Sequence, residues 1–154
     1  MPNVQELAAP VKLVLMDVDG VLTDGRLYNV PDAAGNMVET KAFDSQDGIA
    51  LQWLSWKGIK TGLISGRVSP ATIERAKQTK FTYVYQGHIE KIPILDEILA
   101  DSGLDKSQVA YIGDDLTDIA KVQPACQKFP SDLHWTSKVR RKNPCCPSAF
   151  VSPI

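Results

Sequence analysis

Four polar clusters in this chain each follow a short apolar run, and their residue types are those that handle phosphate. Asp17-Val18-Asp19-Gly20 follows Val11 to Met16, and Ser65-Gly66-Arg67 follows Ile59 to Ile64. Gln86-Gly87, with Lys91 nearby, follows Phe81 to Tyr85, and Gly113-Asp114-Asp115 follows Val109 to Ile112. A phosphate monoester is a dianion whose transfer depends on charge compensation. A hard divalent cation supplies that and prefers carboxylate oxygens and water, which Asp17, Asp19, Asp114 and Asp115 can offer. One carboxylate facing the phosphorus can attack it and form an aspartyl-phosphate. A second, two residues on, can protonate the leaving oxygen and then deprotonate water. Lys91 can neutralise the nucleophile and the phosphoryl oxygens, to which Ser65 and the Gly66 amide can hydrogen-bond.

Each cluster alone has a plainer explanation. Asp-Val-Asp-Gly is an ordinary strand-ending turn, or the start of a calcium loop. The calcium pattern wants a third acidic or amide side chain two residues after Asp19, where Val21 stands. Ser65-Gly66-Arg67 reads equally as a turn into a helix, Lys91 as a solvated helix lysine, and Gly113-Asp114-Asp115 as an acidic helix start. Their joint occurrence, each after an apolar run, carries the functional reading.

The elements that position these clusters alternate between strand and helix. Val11 to Met16, Ile59 to Ile64, Phe81 to Tyr85 and Val109 to Ile112 read as buried strands of the parallel kind. Between and after them, helices are expected from Asp47-Gly48 to about Gly58, from Ser69-Pro70 (serine as N-cap) to about Gln78, over Ile89 to Ala100, and over Leu116 to Val122. Arg26 to Phe43 reads as a hairpin with a polar loop over Pro31 to Asn36. Such alternation predicts an α/β fold, a Rossmann-like parallel sheet with helices on both faces and a small β-hairpin insertion. In such sheets ligands bind beyond the carboxyl ends of the strands, where all four clusters fall.

The rest of the chain excludes more than it proposes. With 154 residues, 44% hydrophobic, 23% charged and a formal net charge of −1, it has ordinary globular composition and no basic field for nucleic acid. No apolar run has the length of a membrane span. Met1 to Pro10 lacks a basic n-region, and Cys126, Cys145 and Cys146 form no disulfide framework, so a reduced, cytoplasmic protein is expected. From Pro124 onward the composition shifts: half of the prolines, all three cysteines and the basic cluster Lys138, Arg140, Arg141 and Lys142 lie there. The expected division is a domain over residues 1–122 and an irregular tail over residues 123–154. Cys126, His134, Cys145 and Cys146 match no familiar zinc spacing.

Asp17-Val18-Asp19-Gly20-Val21-Leu22-Thr23-Asp24-Gly25, Ile64-Ser65-Gly66-Arg67, Lys91 and Gly113-Asp114-Asp115-Leu116-Thr117-Asp118 resemble the four motifs of the haloacid dehalogenase (HAD) superfamily. More closely, they resemble its capless 3-deoxy-D-manno-octulosonate 8-phosphate phosphatases, as do Phe43, Asp47-Gly48 and Tyr85-Gln86-Gly87. The resemblance implies a HAD-like domain with no cap, with Asp17 as nucleophile and Asp19 as general acid/base. It implies Mg2+ held by the Asp17 side chain, the Asp19 backbone carbonyl and Asp114, with Asp115 and Asp118 supporting that shell. Ser65, Gly66 and Lys91 would hold the phosphoryl group, with Arg67, Asp47 and Gly48 near the substrate. It further implies a sugar-phosphate substrate, a role in lipopolysaccharide biosynthesis and a homotetramer packed through the hairpin. A phosphatase for another phosphorylated sugar or acid, or a truncated non-catalytic homologue, is the alternative.

The resemblance runs from about Val11 to Ile119 and then stops. The family continues with an apolar fifth strand and further helices, which Ala120 to Ile154 does not resemble. The break directly after a strong motif suggests a frameshifted end, against a merely divergent tail; reading the other frames of the gene's 3′ end decides between them. Either way, the strand preceding Asp114 is expected to be an exposed sheet edge.

Overall fold

The computed structural model describes residues 4–114 and 150–153. After a short helix α1, Val4–Ala8, which the sequence did not suggest, strand β1 (Leu13–Met16) enters the centre of a five-stranded sheet. Its four residues are all buried, as the continuous apolar run required. The hairpin follows as β2 (Tyr28–Pro31) and β3 (Met37–Thr40), paired antiparallel in a separate two-stranded sheet. Next come α2 (Ser45–Trp56), β4 (Lys60–Ser65), α3 (Pro70–Thr79), β5 (Tyr83–Gln86), α4 (Ile92–Ser102), a 3-10 turn over Lys106–Gln108, and β6 (Val109–Gly113). With a last strand β7 (Phe150–Pro153), the main sheet has the order β5-β4-β1-β6-β7, with β1, β4, β5 and β6 mutually parallel.

Alternation along β1 divides the core between two faces, because successive side chains of a strand point to opposite sides. Leu13 and Leu15 pack with Ile94, Leu95 and Ile98 of α4, Val109 and Tyr111 of β6, and Ile64. Val14 and Met16 pack on the other face with Leu51 of α2 and Ala76 of α3. Helices therefore cover both faces, as expected.

Three local expectations change. Helix α2 begins at Ser45 rather than at Asp47-Gly48, because Asp44 is its N-cap and accepts a hydrogen bond from the Gln46 amide at 2.8 Å. Ser69 stands at the N-cap of α3, but its side chain makes no capping bond, and its own amide donates to Gln86 Oε1 at 2.6 Å. Helix α4 starts at Ile92, not Ile89, which leaves Lys91 at the N-cap.

The largest difference concerns the edge. Strand β7 (Phe150–Pro153) pairs antiparallel with β6, Gly113 opposite Phe150 and Ala110 opposite Pro153, so the strand that leads to Asp114 is flanked on both sides. A four-residue strand ending in proline suits an edge and is too short to leave a periodic signal. It is also antiparallel, which departs from an all-parallel sheet. The expected helix Leu116 to Val122, residues Asp115, Asp118, Cys126, His134, Cys145 and Cys146, the basic cluster and the boundary at residue 122 lie outside the described residues. Among the described residues no helix is long and apolar enough to cross a membrane.

Candidate active site

Strand register brings the clusters together. Met16 lies beside Leu63 on β4 and Ile112 on β6. Asp17 directly follows β1, Ser65 stands two past Leu63, and Asp114 two past Ile112. The Asp17 amide donates to the Ile112 carbonyl at 2.9 Å, which fixes the end of β1 against β6.

Asp17 is nearly buried, with 9% of its surface exposed. Its Oδ1 accepts from the Val18 amide at 2.6 Å, and its Oδ2 lies 3.0 Å from Lys91 Nζ. Lys91, at the N-cap of α4, also donates to the Tyr111 hydroxyl at 2.9 Å. Its ammonium is 5.6 Å from the Tyr111 ring centroid, beside the hydroxyl rather than over the ring face.

The loop after Asp17 is built by the residues of the extended first motif. Val18 and Leu22 are buried and join the core. The Leu22 amide donates to the Val18 carbonyl at 3.0 Å, while Thr23 Oγ1 accepts from the Gly25 amide at 3.2 Å. Asp24 accepts from the Arg26 amide and the Tyr28 hydroxyl, and the first of these bonds is the main reason its carboxyl is held below the usual range. Gly20 turns the loop at φ +85°, where a Cβ would overlap the Asp114 carboxylate. Only a residue without a side chain allows Asp114 to approach the loop this closely.

That approach bears on metal binding. Asp17 and Asp114 bring carboxylates from neighbouring strand ends to one loop, and the loop carries the Asp19 backbone carbonyl. These hard oxygen donors suit a divalent cation such as Mg2+, which completes its shell with water. Among the described residues no group of three or more His, Cys, Asp or Glu side chains is poised to hold a metal. Two carboxylates and one carbonyl are what the described residues offer.

Asp19 turns its Oδ1 to Lys41 Nζ. Lys41 directly follows β3, and its ammonium also lies 3.4 Å from Glu39 Oε1. Glu39 in turn pairs with the Arg67 guanidinium, which holds the Glu39 carboxyl below the usual range, chiefly by hydrogen bonding. Neither Lys41, Glu39 nor Tyr111 was found in the sequence. Glu39-Thr40-Lys41 has the alternating polar look of a solvated strand end, and Tyr111 the look of a core residue.

Ser65 is 1% exposed at the end of β4, and its Oγ accepts from the Arg67 amide at 3.2 Å. Gly66 follows it, with Ile89 in van der Waals reach of a Cβ placed there. Asp47 and Gly48 lie at the start of α2. Asp47 lies near Asp44 and Arg75, and the Arg75 guanidinium is also beside Gly48. Burial first, and then the nearby Asp44 charge, push the Asp47 carboxyl up, against the pull of Arg75.

No family model matches the chain. Among curated proteins it is 38% identical over 117 residues to the 3-deoxy-D-manno-octulosonate 8-phosphate phosphatase of Yersinia pestis, covering 75% of this chain and 60% of that protein. The corresponding Escherichia coli (strain B / BL21-DE3) phosphatase is 33% identical over 116 residues, with the same coverage. The chain thus spans about 60% of the length of the curated relatives it matches. Among solved structures, the Moraxella catarrhalis phosphatase in complex with magnesium, phosphate and KDO superposes with a TM-score of 0.68 at 38% identity, covering 78% of this chain and 68% of that one. The cobalt-bound phosphatase from Haemophilus influenzae gives 0.65 at 34% identity, with 73% and 64% covered.

Proposed function

The chain belongs to the 3-deoxy-D-manno-octulosonate 8-phosphate phosphatase family of the HAD superfamily, and from that premise we propose that it is a magnesium-dependent phosphatase which hydrolyses that sugar-acid phosphate. The observation that carries this reading is the near-buried Asp17 carboxylate, 3.0 Å from the Lys91 ammonium, beside a loop onto which Asp114 closes.

In this mechanism Asp17 attacks the phosphorus. A bond forms between its carboxylate oxygen and phosphorus as the bond from phosphorus to the sugar oxygen breaks. Asp19 gives a proton to that departing oxygen, then takes one from water as water attacks the aspartyl-phosphate and releases inorganic phosphate. Lys91 orients the Asp17 carboxylate and offsets charge on the phosphoryl oxygens, while Ser65 and the Gly66 amide hydrogen-bond them. Magnesium would be held by Asp17, the Asp19 carbonyl and Asp114, and would supply the further positive charge that a phosphate dianion needs. Arg67, Asp47 and Gly48 contact the rest of the substrate.

We infer a place in lipopolysaccharide biosynthesis from the sugar-acid phosphate on which these relatives are named as acting, and a cytoplasmic location is part of the same proposal. The exposed apolar residues of the hairpin, among them Leu27, Val30, Met37 and Val38, support assembly as a homotetramer through that element.

The test is release of phosphate from 3-deoxy-D-manno-octulosonate 8-phosphate with magnesium present, alongside a panel of other phosphorylated sugar acids. Turnover of that compound well above the panel is expected. Preference for another member would replace the substrate, and no hydrolysis of any phosphate, aryl phosphates included, would overturn the enzyme reading. Sizing in solution tests the tetramer, against which a monomer would count.

A further inference from the structure

The hairpin is an exposed element except where it ends. Met37 at the start of β3 is 65% exposed, yet the Lys41 side chain just beyond the strand is only 2% exposed. A buried ammonium is retained only where its charge and hydrogen bonds are matched. Here the match is Asp19 on one side and Glu39 on the other. Glu39 and Lys41 are two residues apart, so they project to the same face of the strand. Arg67 closes the series from the end of β4. Asp19, Lys41, Glu39 and Arg67 therefore alternate in sign and join the first-motif loop, the hairpin and the β4 rim.

We propose that Lys41 is a positioning residue for Asp19, fixing which of its two carboxyl oxygens faces the substrate. The proposal rests on the phosphatase reading above. An ammonium has three donors and no acceptor. With Lys41 bonded to Asp19 Oδ1, that oxygen is occupied, and Oδ2 is the one left to face the substrate. The same bond sets the plane of the carboxyl group. Lys41 thus presents Oδ2 to the leaving oxygen without touching the substrate, and the hairpin gains a duty toward the chemistry of its own subunit.

The test exploits leaving groups. Departure of a primary sugar alkoxide requires a proton, whereas departure of p-nitrophenolate does not. The quantity kcat/KM covers binding through the first phosphoryl transfer, so it reports Asp19 as acid and not its later role as base. We expect Lys41→Met to lower kcat/KM by about 100-fold for the alkyl substrate, the low end of general-acid contributions, and by only a few-fold for p-nitrophenyl phosphate. Lys41→Arg, which keeps a charged donor, should hold the ratio of the two substrates near wild type. Equal losses on both substrates would overturn the proposal, leaving Lys41 as a structural anchor; so would no loss on the alkyl substrate. If Lys41→Met does not fold, the Lys41→Met/Glu39→Gln double variant also removes one of the two carboxylates that Lys41 neutralised and is read by the same ratio. Any primary alkyl phosphate that wild type turns over serves, so a wrong substrate identity and a wrong role for Lys41 are told apart; a wild type inactive on all phosphates overturns both.

Discussion

The Lys91 ammonium is held between two oxygens, Asp17 Oδ2 at 3.0 Å and the Tyr111 hydroxyl at 2.9 Å. Tyr111 is 5% exposed on β6, so its hydroxyl is a fixed post. An ammonium on a flexible four-carbon stem has many rotamers, and a second partner reduces them.

Tyr111→Phe removes the post and leaves the ring that packs in the core. The expected result is a fall in kcat of several-fold, with a smaller change in KM, because the ammonium still reaches Asp17 but spends less time there. Steady-state kinetics with magnesium at saturation checks it. Thermal unfolding should move little, since a single neutral acceptor contributes about 1 kcal/mol.

Asp17→Asn tests the nucleophile itself. The amide keeps the shape of the carboxylate but cannot attack phosphorus, and it no longer neutralises Lys91. Turnover should fall by about four orders of magnitude or more, the scale reported for loss of a nucleophile, while circular dichroism stays that of wild type. A variant that keeps most of its activity would remove Asp17 from the role proposed for it.

Gly20→Ala separates loop geometry from carboxylate chemistry. A side chain at φ +85° costs about 1–2 kcal/mol, and its Cβ would overlap the Asp114 carboxylate. Asp114 must move away, and the magnesium concentration for half-maximal activity should rise at least several-fold. Magnesium titration of activity, after chelation has abolished turnover, reads this. An unchanged magnesium requirement would mean that Asp114 binds no metal.

How much of this was legible beforehand follows from the range of each interaction. Asp17, Ser65 and Asp114 could be placed because each ends an apolar strand, and a parallel sheet gathers strand ends at one rim. Lys41 could not, because its partner Asp19 lies 22 residues away and the burial of its side chain depends on how the hairpin folds back. Tyr111 alternates with its strand neighbours as any core residue would, and only its hydroxyl has a function beyond packing. The α2 boundary was missed because Asp44 caps the helix through one local hydrogen bond, while Asp47-Gly48 offered a more conspicuous break. The covering of β6 by Phe150–Pro153 joins segments far apart in sequence, and a four-residue strand has no periodicity to betray it.

Asp47 yields a prediction in which stability and activity move oppositely. Its carboxyl is pushed above its ordinary range, mainly by burial and then by Asp44. The folded protein therefore binds this proton more tightly than the unfolded chain does. Stability falls as pH rises from below the unfolded pKa through the folded one, and above the folded pKa the full cost of the charged, partly desolvated group is present. Asp47→Asn removes that cost. The variant should be more resistant to urea than wild type at pH 7, with the gain shrinking as pH falls through the folded pKa and gone below the unfolded value. Destabilising groups of this kind gather where function requires them. If Asp47 contacts the substrate, Asp47→Asn will raise KM for the sugar-acid phosphate while p-nitrophenyl phosphate, which lacks the sugar acid, keeps its KM. A more stable variant with both KM values unchanged would remove Asp47 from the substrate site and leave its raised pKa a consequence of burial and the nearby Asp44 charge alone.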